Sequence, residues 1–249
     1  MRLGLAIDLD RCDGCGACMV ACAVENNVAA APDAAGVGKG LAWNRVHRVG
    51  NGRPFPEARE VFIPLPCQHC DADPPPCVAV CPQTAVDVDP QTRIVSQIPV
   101  RCLGCRYCMV ACPYHARVFN WYTPEHPPAA TYALNPDVAP RMRGVVEKCN
   151  GCHGRLHAAR ERAIVEGRAL DPADCVPACA EACPRGAIVS GDLDDPDDEL
   201  AKLAKGPRAF RLLEQLGTQP KVYYLSSYEW VRRLGATLPL SEQEVGADV

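Results

Sequence analysis

Several features that mark other protein classes are scarce or missing in this sequence. Only four of the 249 residues are phenylalanine and three are tryptophan, so aromatic side chains fill little of the interior. No window approaches the roughly 18 uninterrupted apolar residues of a membrane-spanning helix. The opening MRLGLAIDLD has too short an apolar run for a secretory signal peptide and instead predicts a strand. Basic clusters with interleaved aromatics are also missing, so no nucleic-acid partner is expected.

Cysteine, by contrast, is far above ordinary usage, with 17 residues. Cysteine-rich chains are either disulfide scaffolds or metal binders, and the scaffolds are usually short and secreted. This chain fits neither description of a scaffold, so its cysteines predict metal binding. Charged residues of both signs are mixed along the chain, with a formal net charge of −4. Thiolates bound to a metal centre would add negative charge, and burying that charge requires N–H donors and nearby cations.

The cysteines fall into four groups. Group III lies in the run RCLGCRYCMVACP, whose spacing C-x2-C-x2-C-x3-C-P is the ligand pattern of a bacterial ferredoxin. Group I repeats this spacing, group II widens the second gap to six residues, and group IV is split by a long insertion. Sixteen thiolates at four per cubane predict four [4Fe–4S] clusters. In chain order the groups are Cys12, Cys15, Cys18 and Cys22; Cys67, Cys70, Cys77 and Cys81; Cys102, Cys105, Cys108 and Cys112; and Cys149, Cys152, Cys179 and Cys183.

In a ferredoxin run of this kind the fourth cysteine serves a partner cluster. One predicted hairpin joins groups II and III, so we expect these two to pair, and groups I and IV to pair around them. A sequential pairing of I with II and of III with IV stays open, although it leaves long connections. The expected ligand sets are Cys12, Cys15, Cys18 and Cys183 (set A); Cys22, Cys149, Cys152 and Cys179 (set B); Cys67, Cys70, Cys77 and Cys112 (set C); and Cys81, Cys102, Cys105 and Cys108 (set D).

This pairing predicts an α+β fold of two nested bacterial-ferredoxin-like dicluster units with short strands, short helices and long loops. The outer unit takes residues 1–66 and 145–190 and the inner unit takes residues 67–113. A Pro-rich connection follows at 114–144, and residues 191–249 form a C-terminal docking tail. The aromatic residues expected to anchor the connection are Phe119, Trp121, Tyr122 and Tyr132.

The expected elements are short. The predicted strands are an edge or outer strand at 3–7, strands at 45–49 and 61–65 with a turn signal at Asn51-Gly52, a hairpin of 85–88 with 93–96, and strands at 187–190 and 222–225. The predicted helices are one carrying Cys18 and Cys22 to about Glu25, one at 155–167, and two short ones broken at Gly206-Pro207. Residues 29–40 predict a surface loop, and the last eight or nine residues predict a loose end.

Single motifs admit other interpretations. The run Cys149-Asn-Gly-Cys152-His153 matches the haem-attachment pattern C-x-x-C-H. A haem there would take two ligands from an otherwise complete set, so we expect His153 to face solvent or to lie behind the ligands. Zinc on the CxxC pairs is chemically possible, although the repeated spacing is not that of zinc sites. The C-x3-C-x2-C pattern of radical-SAM chemistry does not occur.

The remaining candidates predict structural roles. Cys175 is expected to be a buried free thiol, and His69 and His115 to pack or form hydrogen bonds beside ligands. The acidic run 192–199 predicts a solvated turn. No Ser/His/Asp arrangement or pair of carboxylates suggests catalysis, so no catalytic residue is expected.

The four groups resemble those of the ferredoxin-type, four-cluster electron-transfer subunits of molybdopterin oxidoreductases. The motifs that carry the resemblance are CDGCGACMVAC, CQHC…PPPCVAVCP, CLGCRYCMVACPY and KCNGC…PACAEACP, over residues 5–190. The stretch ALNPDV…RGVVEKC is similar to the subunits of quinone-linked membrane complexes, such as menaquinone reductase or alternative complex III. The six-residue gap in group II departs from the four residues usual in this family. Some relatives replace a group III cysteine with tryptophan and hold a three-iron cluster, whereas all four cysteines are present here.

The resemblance implies a function and its partners. It implies a non-catalytic subunit that relays single electrons through four [4Fe–4S] clusters, between a molybdopterin-type catalytic subunit and a polytopic quinone-binding membrane subunit. Since no membrane span is predicted, association with the membrane would come through the partners, at the periplasmic face after partner-carried export or at the cytoplasmic face. The alternatives are a diffusible polyferredoxin, against which the tail and the long connection argue, and a zinc-binding scaffold.

Overall fold

The computed structural model describes residues 1–29, 41–139 and 141–237. These residues form an α+β fold of short elements joined by long loops, as predicted. The strands are β1 Leu3–Asp8, β2 Arg45–Gly50, β3 Glu60–Leu65, β4 Val86–Val88, β5 Val95–Gln97, β6 Val118–Phe119, β7 Val146–Glu147, β8 Ile188–Asp192, β9 Ala209–Phe210 and β10 Val222–Leu225. The helices are α1 Ala17–Glu25, α2 Pro76–Ala79, α3 Tyr107–Val110, α4 His153–Val165, α5 Ala178–Glu181, α6 Glu199–Ala204 and α7 Glu229–Leu234.

A four-stranded sheet in the order β8-β1-β10-β9 forms the centre of the molecule. β1 pairs antiparallel with β8, where Leu5 lies opposite Ser190. On its other side β1 pairs parallel with β10, where Leu5 lies opposite Val222. The edge position expected for β1 is therefore wrong, because the C-terminal part of the chain returns and covers that edge. The main apolar core packs on this sheet and includes Ile7 and Tyr224, which are almost completely buried.

Three two-stranded sheets lie around the central one. The antiparallel pair β2–β3 confirms both predicted strands, although its strands are joined by a loop of residues 51–59 that the Asn51 side chain holds in place. The pair β4–β5 confirms the predicted hairpin, which turns at Asp89. The pair β6–β7 was not expected, and it links the end of group III to the start of group IV.

The short helices pack in pairs that follow the cysteine groups. α1, from group I, contacts α5, from group IV, and α2, from group II, contacts α3, from group III. The predicted helix at 155–167 is α4, and its Leu156, Ala159 and Ala163 face the interior. No helix among the described residues combines the length and apolar character of a membrane span.

The C-terminal part differs from expectation in one respect. The first of its two predicted short helices is α6, which Asp198 caps by accepting a hydrogen bond from the Leu200 N–H at 2.7 Å. After Gly206-Pro207 the chain forms β9 in place of a second helix, because Ala209 and Phe210 pair with the outer edge of β10. A helix does follow β10, at α7, and was not predicted.

The remaining local predictions have mixed outcomes. The acidic run 192–199 is mostly an exposed turn, as expected. Phe119 and Trp121 contact each other with ring centroids 4.5 Å apart, but Tyr132 is 94% exposed and anchors nothing, contrary to prediction. Most of the predicted loop at 29–40 and the predicted loose C-terminal end lie outside the described residues.

Tyr224 ties the C-terminal strand to group II, and its hydroxyl generates a testable prediction. The hydroxyl donates to the Pro64 carbonyl at 3.0 Å and accepts from the Gln68 side-chain amide at 3.2 Å, with all three groups buried. Tyr224→Phe removes the donor to the Pro64 carbonyl and one acceptor of the Gln68 amide, which keeps its bond to the Pro66 carbonyl, so we expect a loss of about 1–3 kcal/mol of unfolding free energy. Thermal unfolding of the purified protein checks this expectation.

Tyr223→Phe is the matched control, since the neighbouring hydroxyl makes no hydrogen bond with any described residue. Equal thermal midpoints for the two variants would contradict the role assigned to Tyr224.

Candidate metal centres

The first two cysteines of each group flank a tight loop with the same backbone conformation. The residue just before the second cysteine has a positive φ in every group: Gly14 at 74°, His69 at 42°, Gly104 at 75° and Gly151 at 66°. Glycine adopts this left-handed region without strain, whereas histidine does so at a cost. A side chain at Gly104 would also collide, because its Cβ would lie 2.3 Å from the Gly144 carbonyl oxygen.

The third cysteine of each group lies in the first turn of a short helix. Groups I and III start these helices after a left-handed residue, Gly16 or Arg106, whereas groups II and IV start them after an extended proline, Pro75 or Pro177. The fourth cysteine follows four residues later, on the same side of the turn. The short helix predicted to carry Cys18 and Cys22 is confirmed as α1, and α2, α3 and α5 provide the same arrangement in groups II, III and IV.

The fourth cysteines of groups II, III and IV share a second loop that the spacing analysis missed. In each, the cysteine begins a Cys-Pro-x-x-Ala sequence, and the alanine N–H points back at its sulfur. The distance from nitrogen to sulfur is 3.2 Å for Ala85 and Cys81 and 3.3 Å for Ala187 and Cys183. Ala116 makes the equivalent bond to Cys112. The repeated Cys-Pro-x-x-Ala sequence was visible without a structure and is the signal that finds these donors.

The structure brings the cysteines of set A and of set D together around two similar recesses. Cys12, Cys15, Cys18 and Cys183 line one of ≈330 Å³. Cys81, Cys102, Cys105 and Cys108 line the other, of ≈300 Å³. Each recess thus draws three cysteines from one group and the fourth from another, in the combination expected from the crossover pattern.

The cysteines of set B line a larger recess of ≈770 Å³, to which Cys175 also contributes. Burial raises the pKa of Cys22 well above its usual value, and the nearby Cys149, Cys152 and Cys179 thiols raise it further. Burial likewise raises the pKa of Cys149 to about 12. Without a cation among them, these sulfurs would be protonated at neutral pH.

The cysteines of set C also lie near one another. Burial raises the pKa of Cys70 to about 12, and the thiols that add to the rise are Cys67, Cys112 and Cys77. The four sets also lie in a definite sequence of neighbours. Cys18 of set A interacts with Cys22 of set B, Cys149 of set B with Cys67 of set C, and Cys77 of set C with Cys108 of set D.

Buried cations lie near sets B and C. Lys148 is 1% exposed, and its ammonium group donates to the carbonyls of Val95 and Cys149. Lys221 is 2% exposed and lies 3.8 Å from the Asp71 carboxylate. Burial lowers the pKa of Lys221 to about 8, even though Asp71 opposes this effect. Arg117 is also buried.

The other sequence candidates have individual outcomes. His69 is buried and accepts a hydrogen bond from the Val95 N–H at 3.2 Å, which confirms its expected role, whereas His115 is exposed and its side chain makes no hydrogen bond with any described residue. His153 faces solvent, as predicted. Cys175 is buried, as predicted, and its thiol donates to the Pro172 carbonyl at 3.5 Å.

Across residues 1–29, 41–139 and 141–237, no three or more Cys, His, Asp or Glu side chains are arranged to hold a single metal ion.

Comparison with known proteins decides the family. The model of a 4Fe–4S dicluster domain matches residues 58–126, which contain groups II and III. The menaquinone reductase iron–sulfur cluster-binding subunit of Nitratidesulfovibrio vulgaris is 53% identical, over 94% of this chain and 92% of that relative. The chain belongs to the ferredoxin-type iron–sulfur subunits of oxidoreductase complexes. A putative dimethyl sulfoxide reductase iron–sulfur subunit of Halobacterium salinarum is 39% identical, over 90% of this chain and 78% of that relative. The arsenate respiratory reductase iron–sulfur subunit of a Shewanella species is 34% identical, over 92% and 97%.

Membership of this family makes the chain an electron-transfer subunit that binds [4Fe–4S] clusters, rather than a diffusible polyferredoxin. The residues present fit such clusters. Buried sulfurs gathered in fours match a cationic iron–sulfur core, since thiolates bound to iron lose the proton that burial would otherwise favour. The N–H groups aimed at Cys81 and Cys183 are the donors that an anionic sulfur requires.

The glycine before Cys105 generates a prediction about cluster assembly. Gly104→Ala places a Cβ against the Gly144 backbone in addition to the cost of a left-handed alanine, about 1–2 kcal/mol. We therefore expect a lower thermal midpoint and loss of about four iron atoms per chain, the content of one cubane. Iron analysis and thermal unfolding of the purified variant measure both effects.

Gly16→Ala is the control, since Gly16 has the same φ of 75° but nothing within 4 Å of an added Cβ. If the two variants keep equal amounts of iron, the close contact at Gly144 is not what requires a glycine at position 104.

Proposed function

We propose that this chain carries four [4Fe–4S] clusters, held by sets A, B, C and D, and conducts electrons along them in that order. The observation that carries the proposal is that Cys15 of set A and Cys105 of set D are the two exposed cysteines of the chain, whereas the cysteines of sets B and C are buried or half-buried. Two sets thus have access to the surface, and two lie between them. The electrostatic neighbours of adjacent sets favour the same order.

The paired helices and the family match support the division into an outer unit of groups I and IV and an inner unit of groups II and III. α1 packs on α5 and α2 packs on α3. The dicluster domain match covers both groups of the inner unit. The residues 191–249, for which docking is proposed, also supply β10 and β9 to the central sheet, so a docking role would be carried by their outward-facing side chains.

The clusters supply one-electron redox chemistry with no open coordination site when all four ligands are thiolates. The chain's own residues would hold each sulfur in place, exclude water from sets B and C, and stabilise negative charge. N–H donors such as Ala85 and Ala187 stabilise the sulfurs of Cys81 and Cys183. This division of labour needs no catalytic side chain, and we propose that the chain itself is non-catalytic.

The names of the relatives support a proposal about partner subunits. The first two relatives are subunits of a menaquinone reductase and a putative dimethyl sulfoxide reductase, and both match along most of their length. We propose a molybdopterin-type catalytic subunit at one end of the cluster series and a quinone-reactive membrane subunit at the other. Association with the membrane then comes through that second subunit, at either the periplasmic or the cytoplasmic face.

Isolation of the native complex under anaerobic conditions tests this function. We expect about 16 iron and about 16 acid-labile sulfide per chain, four of each for every cubane, and broad absorption near 400 nm. During turnover with a quinol, EPR should show the clusters becoming reduced. A colourless chain with zinc or disulfides at these cysteines, or a chain that purifies with no other subunit, would contradict the proposal.

The crossed ligand sets make a separate prediction for Cys183. Cys183 follows the group IV helix α5 in sequence but lines the recess of Cys12, Cys15 and Cys18. Cys183→Ser should therefore change the EPR signal and potential of the set A cluster and leave set B intact. Cys179→Ser, from the same group, is the matched variant and should affect set B. A change confined to set B in both variants would refute the crossed pairing.

A further inference from the structure

Arg117 lies at the boundary between sets C and D. It is the residue just before β6, and the preceding Ala116 is the N–H donor to Cys112 of set C. Its Nη1 donates to the Gln97 side-chain oxygen at 2.9 Å, and Gln97 lines the recess of set D. The backbone of this segment thus reaches a sulfur of set C, while the guanidinium contacts a residue that lines the recess of set D.

The charge of Arg117 has no carboxylate partner among the described residues. The side chain is 4% exposed, and its Nη2 is buried without a hydrogen bond inside the protein. A buried guanidinium lacking an anion is strongly unfavourable, so a group of opposite charge is expected beside it. Every other arginine in the described part of the chain is more exposed than Arg117.

The anions beside Arg117 are cysteine sulfurs from both sets. Burial by itself would lower the pKa of the guanidinium, but the nearby Cys77, Cys108 and Cys67 outweigh it and raise that pKa. Conversely, the Arg117 charge opposes the rise in pKa that burial causes at Cys108 and Cys112. Burial would raise the pKa of Cys81, but the N–H donors of its loop, and after them Arg117, lower that pKa.

We infer that Arg117 is a positioning residue shared by the clusters of sets C and D. Its fixed positive charge raises the reduction potential of both clusters. Reduction adds an electron to each cluster, and a permanent cation held between them stabilises that added charge on either side. Gln97 keeps the guanidinium in place without cancelling its charge, which a carboxylate at this position would do. The inference rests on the proposed four-cluster function and goes beyond it by assigning a potential-setting residue to two named clusters.

The test is an EPR-monitored redox titration of the Arg117→Gln variant in the purified complex. We expect two of the four clusters to become harder to reduce together, with about a tenfold lower ratio of reduced to oxidised cluster at a fixed solution potential. For a one-electron couple this corresponds to a shift of about 59 mV to more negative potential. The clusters of sets A and B should keep their potentials.

Two variants separate the charge of Arg117 from general disturbance. Arg160→Gln makes the same substitution on α4, where the arginine pairs with the Asp89 carboxylate at 2.6 Å, and should leave both inner potentials in place. Arg117→Lys keeps the positive charge, so the clusters of sets C and D should keep most of their original reduction potential. Gln97→Glu leaves Arg117 in place but pairs it with an anion, so it should lower the reduction potentials of the clusters of sets C and D.

The outcomes distinguish this inference from the proposed function. If the unmodified protein does not show four reducible clusters, the proposed function fails before Arg117 is tested. If it does, unchanged potentials in Arg117→Gln, or an equal shift of all four clusters, overturn the inference. Should Arg117→Gln not assemble its inner clusters, Gln97→Glu carries the test, and unchanged inner potentials in that variant overturn the inference equally.

Discussion

The constraint on which this structure depends is the burial of many sulfur atoms that function only as anions. All of the 17 cysteines except Cys15 and Cys105 are buried or half-buried, and burial alone would protonate those in the interior. Backbone N–H groups, which the left-handed residues and Cys-Pro-x-x-Ala loops point at sulfur, stabilise the negative charge. Iron, which the family binds as [4Fe–4S] clusters, stabilises it further. Much of the local backbone geometry is set by this requirement.

The way negative charge is stabilised differs along the series of sets. At the two ends an exposed cysteine, Cys15 or Cys105, leaves water to contribute. In the outer unit neutral donors also serve, since the Asn44 side chain bonds to Cys18 and the Asn26 amide lies 3.9 Å from the Cys22 sulfur. Toward the middle, where water is excluded, the buried cations Lys148 and Arg117 take over. Water thus stabilises the negative charge near the surface, and buried cations stabilise it in the interior.

How far the sequence predicts the structure depends on the distance over which each feature is encoded. Cysteine spacing encodes a loop and one helical turn within a dozen residues, and turn residues encode a hairpin over a similar distance, so α1 and the hairpin at Asp89 were accessible from the sequence. The position of β1 was not, because it depends on pairing with β10, more than 200 residues away. Arg117 was missed for the same reason: nothing in its neighbourhood separates it from an exposed arginine, and only the fold places it beside Cys77 and Cys108.

The parallel pairing of the first and last long strands has a consequence for how the chain is made. The inner cysteine groups and the hairpin between them have been synthesised once the chain has passed residue 113, although they also contact later residues such as Lys148 and Tyr224. The central sheet, in contrast, cannot close until Val222–Leu225 has left the ribosome, so β1 remains an open edge during most of translation. A chain interrupted after β8 but before that point would therefore leave the β10-facing edge of Leu5–Asp8 unpaired and open to association with other chains.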